Sequence, residues 1–500
     1  MIFGKRDNAH TTEEPELTQE QSVGLIRSAF ESSPSFFKLL STLRTRRVGM
    51  GYQVESGQEE TFDWASGHPA TQRQGPLNYV SEEDPIELTQ TEEALLLWAA
   101  TGINGMVLGD IPVEGGLSRL ISFKGRTSPS SSNDGAVEMF VINDRGVFLY
   151  RPNVDSLSIQ EIASEEDYVK ILNWYKKDLI QISNSRPDVS WPANPEGTKT
   201  VNAMGPAQYN LNRPGSTWFL PVGDVGLEWF NQLLTSYEFS GFYLMDPDTN
   251  EPAGCKEWIR PGFLEVGFPI PAFDELALML HAGQVGAIVQ NIRIATEAMG
   301  LGSWMTGSYA DDLVLGAYPE IAKGLGFSFL SRENTLNPTS TMTCQGLEGI
   351  KDAVMVPSKR FPKPLDAIKY VADLPLIQGR SLQGTSLQGL GSQSSSPDNE
   401  QNNSGFNQVP YQDQVFDTIL KTPKAYISDW VIEAAVKTVE YIVNKYGCAP
   451  AFINPMRAKI SVQVHHVDIG FYEKFNIKNN SVAYGLTEAI TSHFDNWHPH

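Results

Sequence analysis

Cysteine is scarce in this 500-residue chain: Cys255, Cys344 and Cys448 are all there is, far apart and never as CxxC. That spacing excludes a disulfide framework and a cysteine-rich zinc site. Basic residues are in deficit, 38 against 59 acidic, for a formal net charge of -21. Such a surface repels bare phosphate. A general nucleic-acid or anionic-membrane binder is therefore excluded, although a local basic pocket for one small phosphate is not. No stretch of about 18 uncharged apolar residues occurs, so no membrane span is expected. The start of the chain, MIFGKRDNAHTTEEPELTQE, lacks the apolar core of a signal peptide. A cytoplasmic protein of a reducing compartment is expected. What is present is a globular balance, 41% hydrophobic and 19% charged, at a length that suggests roughly two to four domains.

Residues 1–17 are polar and read as a frayed terminus. Thr18 with Gln21, and Thr89 with Glu92, read as capping boxes, in which each side chain satisfies an orphan amide of the other. The second opens ALLLWAATG, a helix predicted to stop at Gly102. Ser33-Pro34 reads as N-cap and first position of a helix running to about Arg47. Residues 136–150, AVEMFVINDRGVFLY, read as a β-hairpin turning on Asn143-Asp144-Arg145-Gly146. EEDYVKILNWYKKDLIQI reads as a helix.

The strongest periodicity lies in 274–300, where Leu278, Ala282, Val285, Val289, Ile292 and Met299 fall on one helical face. Gly283 and Gly286 cost such a helix about 1 kcal/mol each relative to alanine, which predicts close approach of another backbone. Residues 378–408, with SLQG twice, read as a flexible linker or disordered insertion. Beyond it, Ser428 caps DWVIEAAVKTVEYIVNKY, which ends at Gly447 before a strand-like KISVQVHHVDIGF. Residues 409–500 thus read as an α/β extension that folds alone or docks.

Three pieces carry chemistry: Arg44-Thr45-Arg46-Arg47, then Arg126-Thr-Ser-Pro-Ser-Ser-Ser-Asn133 before the hairpin, then Gln290-Asn291 in the long helix with Gly300-Leu301-Gly302-Ser303-Trp304 at its end. Each has an ordinary reading as a helix end, a turn or a C-cap. Together and in this order they resemble the FMN-dependent nitroreductase superfamily, and within it the SagB-type dehydrogenases. RTSPSSSNDGAVEMFVI is similar to the family's Arg-x-x-Pro-Ser loop and following strand. GQVGAIVQNIRIATEAMGLGSW is similar to its central helix, and MVPSKRFPKPLDAIKYV to its C-terminal basic segment.

The resemblance implies an α+β fold over 18–377: a mainly antiparallel sheet flanked by helices, with the long helix central and 151–270 an insertion. It implies FMN as cofactor, NAD(P)H as donor, a small organic acceptor (nitroaromatic, quinone or natural-product intermediate) and a homodimer, with a two-lobed monomer also open. The phosphate dianion needs converging cations, and Arg44, Arg46, Arg47, Arg126, Lys359 and Arg360 are the candidates. Ser128, Ser130 and Asn133 are short donors that suit the ribityl chain and ring edge, Gly300 and Gly302 let amides approach the ring, and the resemblance adds Pro129 and Gln290 to the cofactor-binding set. The cofactor carries the chemistry, so no catalytic nucleophile is assigned.

The early segment reads Arg46-Arg47-Val48-Gly49-Met50 where the family has Arg-Arg-Ser-x-Arg. That departure motivates a second reading, a non-catalytic or flavin-storing protein on a degenerate scaffold. His465, His466, Asp468, His493, His498 and His500 are grouped near the C-terminus. Their spacing follows no known ligand pattern, so no metal is assigned.

Overall fold

The computed structural model describes residues 17–52, 62–63, 68–69, 79–106, 112–113, 116–117, 124–130, 135–152, 162–189, 211–320, 322–331, 342–382, 427–475 and 486–498. Its centre is a seven-stranded antiparallel sheet. In chain order the strands are β1 (Val137–Asn143), β2 (Gly146–Tyr150), β3 (Leu179–Ser183), β4 (Ser216–Asp224), β5 (Gly302–Thr306), β6 (Met456–Arg457) and β7 (Ser461–His465). In space the order is β5-β7-β4-β1-β2-β3, with β6 pairing the far end of β4. Side chains alternate across this sheet. Met139, Val141, Val462 and Val464 pack into one core, while Phe140, Ile142, Trp218 and Leu220 pack into another on the opposite face. Burial on both faces is why these strands read as near-continuous apolar runs.

The first face is covered by α1 (Gln19–Ser32), α3 (Gln90–Thr101), α4 (Tyr168–Asp178) and α6 (Ile270–Met299). A third core joins α5 (Val225–Thr235), the first half of α6, α7 (Pro364–Leu382) and α8 (Asp429–Tyr446). Both capping boxes form as read, and the hairpin turns between Asn143 and Gly146. By length and composition α6 could cross a bilayer, yet here it packs against α3, α5 and the sheet.

Several expectations change. The early helix α2 is short (Phe36–Thr42). Residues 43–47 are not helical, because Arg46 N–H is drawn off to Ser303 O of β5 at 3.2 Å. The segment read as one helix to Ile182 divides at Asp178, since Leu179–Ser183 adds to the edge of β2 as a strand. Along α6, Val285, Val289, Ile292 and Met299 of the expected face are buried, Leu278 is half-buried and Ala282 is exposed, while Phe273, Ala277, His281 and Ile288 are buried as well. A Cβ at Gly283 or Gly286 would meet nothing within 4 Å, so among the described residues no backbone approaches either glycine.

The 151–270 stretch is not inserted outside the core: it supplies β4, the strand on which the sheet is organised. Nor is 409–500 an appended unit, because β7 lies between β5 and β4, paired to both. The predicted linker lies outside the described residues from 383 onward.

Candidate functional site

The residues chosen from the sequence gather in three places. The first is the C-terminal end of α6. Arg46 is buried and donates from Nη1 to Glu297 Oε2 at 2.6 Å. The Arg47 guanidinium lies 3.8 Å over the Trp304 ring, a cation–π contact. Arg44, in the same segment, donates from Nη1 to Leu43 O at 2.6 Å.

This end of the helix is under-satisfied. Among the described residues, Arg46 Nη2, Glu297 Oε1 and the Nε of Arg293 are all buried without a hydrogen-bond partner. Arg293 stands one turn before Glu297 and donates from Nη1 to Gln290 Oε1 at 3.2 Å. Burial lowers its pKa from the ordinary value, with Glu297 acting in the opposite direction. It remains charged at any physiological pH. Sequence reasoning missed Arg293 and Glu297, whose signal is an i, i+4 opposite-charge pair on a partly buried helix.

The second place is the middle of α6. Asn291 Nδ2 donates to Ala99 O at 3.1 Å and to Thr127 O at 2.9 Å, fastening the 126–130 loop to the helix beside Gln290. Ser128 is buried there, Ser130 half-buried and Pro129 exposed. Asn133 lies outside the described residues. Arg126 reaches Thr101 O at 3.4 Å and lies against Gly135, where a Cβ would stand 3.0 Å from its Nη2.

Lys359 and Arg360 form the third. Lys359 pairs with Glu348, and Arg360 sits 3.8 Å from Asp352. The neighbouring Lys351 is 3.6 Å from Asp224, the last residue of β4. Gly302, by contrast, pairs with His465, which pairs with Ser216 at the other end of β4. At ~3.3 Å per residue those ends are roughly 26 Å apart, so Lys359 and Arg360 cannot share a phosphate with Arg46.

The two glycines serve the protein's own packing. Gly300 is the left-handed cap of α6 (φ 81°), and a Cβ there would stand 2.0 Å from Ala489 O. A Cβ on Gly302 would stand 2.8 Å from His465 Nε2. A cavity of about 320 Å³ does open beside this helix end, lined by Lys38, Thr42, Glu297, Met299, Glu488 and Trp497 among others. None of the cofactor residues chosen from the sequence lines it. Of the C-terminal group, Asp468 accepts from Tyr79 Oη at 2.8 Å and from Phe471 N–H at 2.8 Å, and His500 lies outside the described residues.

No family model matches the chain, and no curated protein matches it. Among solved structures, the chain is similar to one from Ralstonia eutropha JMP134 that is provisionally named a nitroreductase. The two are 13% identical with a TM-score of 0.26, over 59% of this chain and 80% of that one. A superposition that loose places no residue.

Proposed function

We propose that the chain is a flavin-dependent oxidoreductase of the nitroreductase type, holding FMN along the second half of α6. The observation that carries this reading is the pair of buried guanidinium atoms, Arg46 Nη2 and Arg293 Nε, which have no hydrogen-bond partner among the described residues although both groups lie beside Glu297. Buried donors of this kind are seldom left unpaired. Two guanidinium groups share the Glu297 carboxylate, and an anion with several oxygens would satisfy the donors left over. The FMN phosphate has that chemistry.

When bound, FMN supplies the hydride chemistry between NAD(P)H and a small acceptor. The chain's residues bind and orient it. Arg46 and Arg293 hold the anion, Gln290 and Ser128 lie along the same helix for polar edges, and Trp304 under Arg47 offers a flat wall. We place the chain with nitroreductases at large rather than with the SagB-type branch.

One observation favours the flavin-storing or non-catalytic alternative: Ala489 and His465 occupy the space beside Gly300 and Gly302. A ring excluded from that face has less room for a donor to stack.

FMN titration of the purified full-length protein, followed by flavin fluorescence, tests the site. Arg293 is half-buried, so Arg293→Gln removes a charged donor at little risk to folding. A weakening of about tenfold or more is expected, since a hydrogen bond to a charged group is worth roughly 1.5–3 kcal/mol. Unchanged affinity in this variant, with loss in Arg126→Ala, would move the phosphate to the 126–130 loop and overturn the assignment.

A further inference from the structure

We infer that Glu92, His466, His493 and His498 form a closed binding site for a single divalent transition metal, zinc being the best match, which clamps the C-terminal turn onto the core. The four residues come from three places: the first turn of α3, the segment following β7, and the last described turn of the chain. All four are buried, and one ligand atom from each lies within 4.8 Å of the others. Glu92 Oε1 stands 3.4 Å from His466 Nε2, 3.0 Å from His493 Nε2 and 3.5 Å from His498 Nε2. The Nε2 atoms of His466 and His498 are 3.2 Å apart. Four ligands at ~2.05 Å from a tetrahedral centre stand about 3.3 Å from one another. The four separations just given, of six, already have that scale.

The hydrogen-bond network explains why a cation is wanted. His466 Nδ1 is 3.0 Å from Ile86 O, and His493 Nδ1 is 2.7 Å from Met299 O. A carbonyl oxygen only accepts, so each Nδ1 carries the proton and each Nε2 turns a lone pair inward, an assignment made from the network. His493 Nε2 is buried and has no well-aligned hydrogen bond among the described residues, although Glu92 Oε1 stands 3.0 Å away. The inward lone pairs of His466 and His493 both face the Glu92 carboxylate; a proton on His498 Nε2 can serve one of these acceptors, whereas a cation between them satisfies all. Backbone carbonyls on the outer nitrogens are also the usual way of fixing metal-ligating imidazoles.

The ligand set selects the ion. Three imidazole nitrogens disfavour calcium and magnesium, which take oxygen, and suit zinc or its neighbours. Four protein ligands with no open position make a structural site rather than a catalytic one. Its mechanical role follows from its neighbours: His493 hangs on Met299, and Ala489 lies against Gly300. The metal therefore holds down the segment that walls the cavity at the end of α6. This inference is independent of the flavin reading.

The experiment uses full-length protein carrying no histidine tag. Elemental analysis by mass spectrometry should find about one zinc per chain. After stripping with chelator, added Co²⁺ should give the intense visible bands of a tetrahedral nitrogen–oxygen site, displaced by Zn²⁺. His498→Ala, close to the terminus, should weaken zinc at least 100-fold, whereas the control His10→Ala should bind as wild type. The thermal midpoint should fall when the wild type is stripped and recover with Zn²⁺. Should His498→Ala not fold, the cobalt spectrum of the wild type decides alone. Metal-free protein that gives no tetrahedral cobalt spectrum, or zinc affinity unaltered in a folded His498→Ala variant, overturns the inference.

Discussion

Arg46 Nη1 donates to Glu297 Oε2 at 2.6 Å in the protein interior, across 251 positions of sequence. The contact fastens the segment after α2 to the last turn of α6. Removing one partner strands the other without water. Arg46→Ala should therefore cost about 3–5 kcal/mol of stability, read as a shift of the denaturation midpoint. The double replacement Arg46→Met with Glu297→Leu should cost much less, because neither charge is then left alone. It should also lower affinity for FMN, which separates folding from binding.

Two glycines of the long helix should respond in opposite ways. At Gly283 nothing lies within 4 Å of a new Cβ, so Gly283→Ala should stabilise by up to about 1 kcal/mol through helix propensity alone. At Gly300 the positive φ costs about 1–3 kcal/mol for any other residue. The new Cβ would also stand 2.0 Å from Ala489 O. Gly300→Ala should lower the thermal midpoint and, in limited proteolysis, open cleavage sites near residues 487–498 first.

Burial pushes the Asp178 carboxyl up to about 6 from its ordinary 3.8, and its Oδ2 has no hydrogen-bond partner. The folded chain thus holds this proton more tightly than the unfolded chain does. The contribution to stability is fully present below pH ~3.8 and is lost as pH rises through about 6, leaving a cost of up to about 3 kcal/mol at neutrality. Asp178→Asn should raise the thermal midpoint at pH 7, and the advantage should shrink as the pH is brought down to 4. A gain of equal size at both pH values would contradict this.

What could be read from the sequence was local. The capping boxes at Thr18 and Thr89 and the turn at Asn143 rest on neighbours three residues away, and all are present. Strand β4 could not be read. It is buried on both faces, which removes the alternation that marks a strand, and Pro221 argues against a central position. The sheet tolerates Pro221 because β7 pairs with Ser216–Phe219 and β6 with Gly223–Asp224, leaving a gap in the ladder beside it.

Glu92 shows the same limit at the site. Its Oε2 caps Thr89 at 2.7 Å, as the local pattern says, while its Oε1 faces three histidines from far along the chain. Arg293 and Glu297 were likewise readable as a helical pair, but not as partners of Arg46, since only the fold brings residue 46 to the end of α6.

The most direct test of the account is whether the purified full-length chain holds flavin and passes electrons through it. Incubation with FMN, desalting and an absorption spectrum, followed by NADH or NADPH under nitrogen, settles both halves. The account predicts about one FMN retained per chain and bleaching of its visible band by a reduced nicotinamide. A colourless protein, with all the FMN recovered in the filtrate, would contradict it.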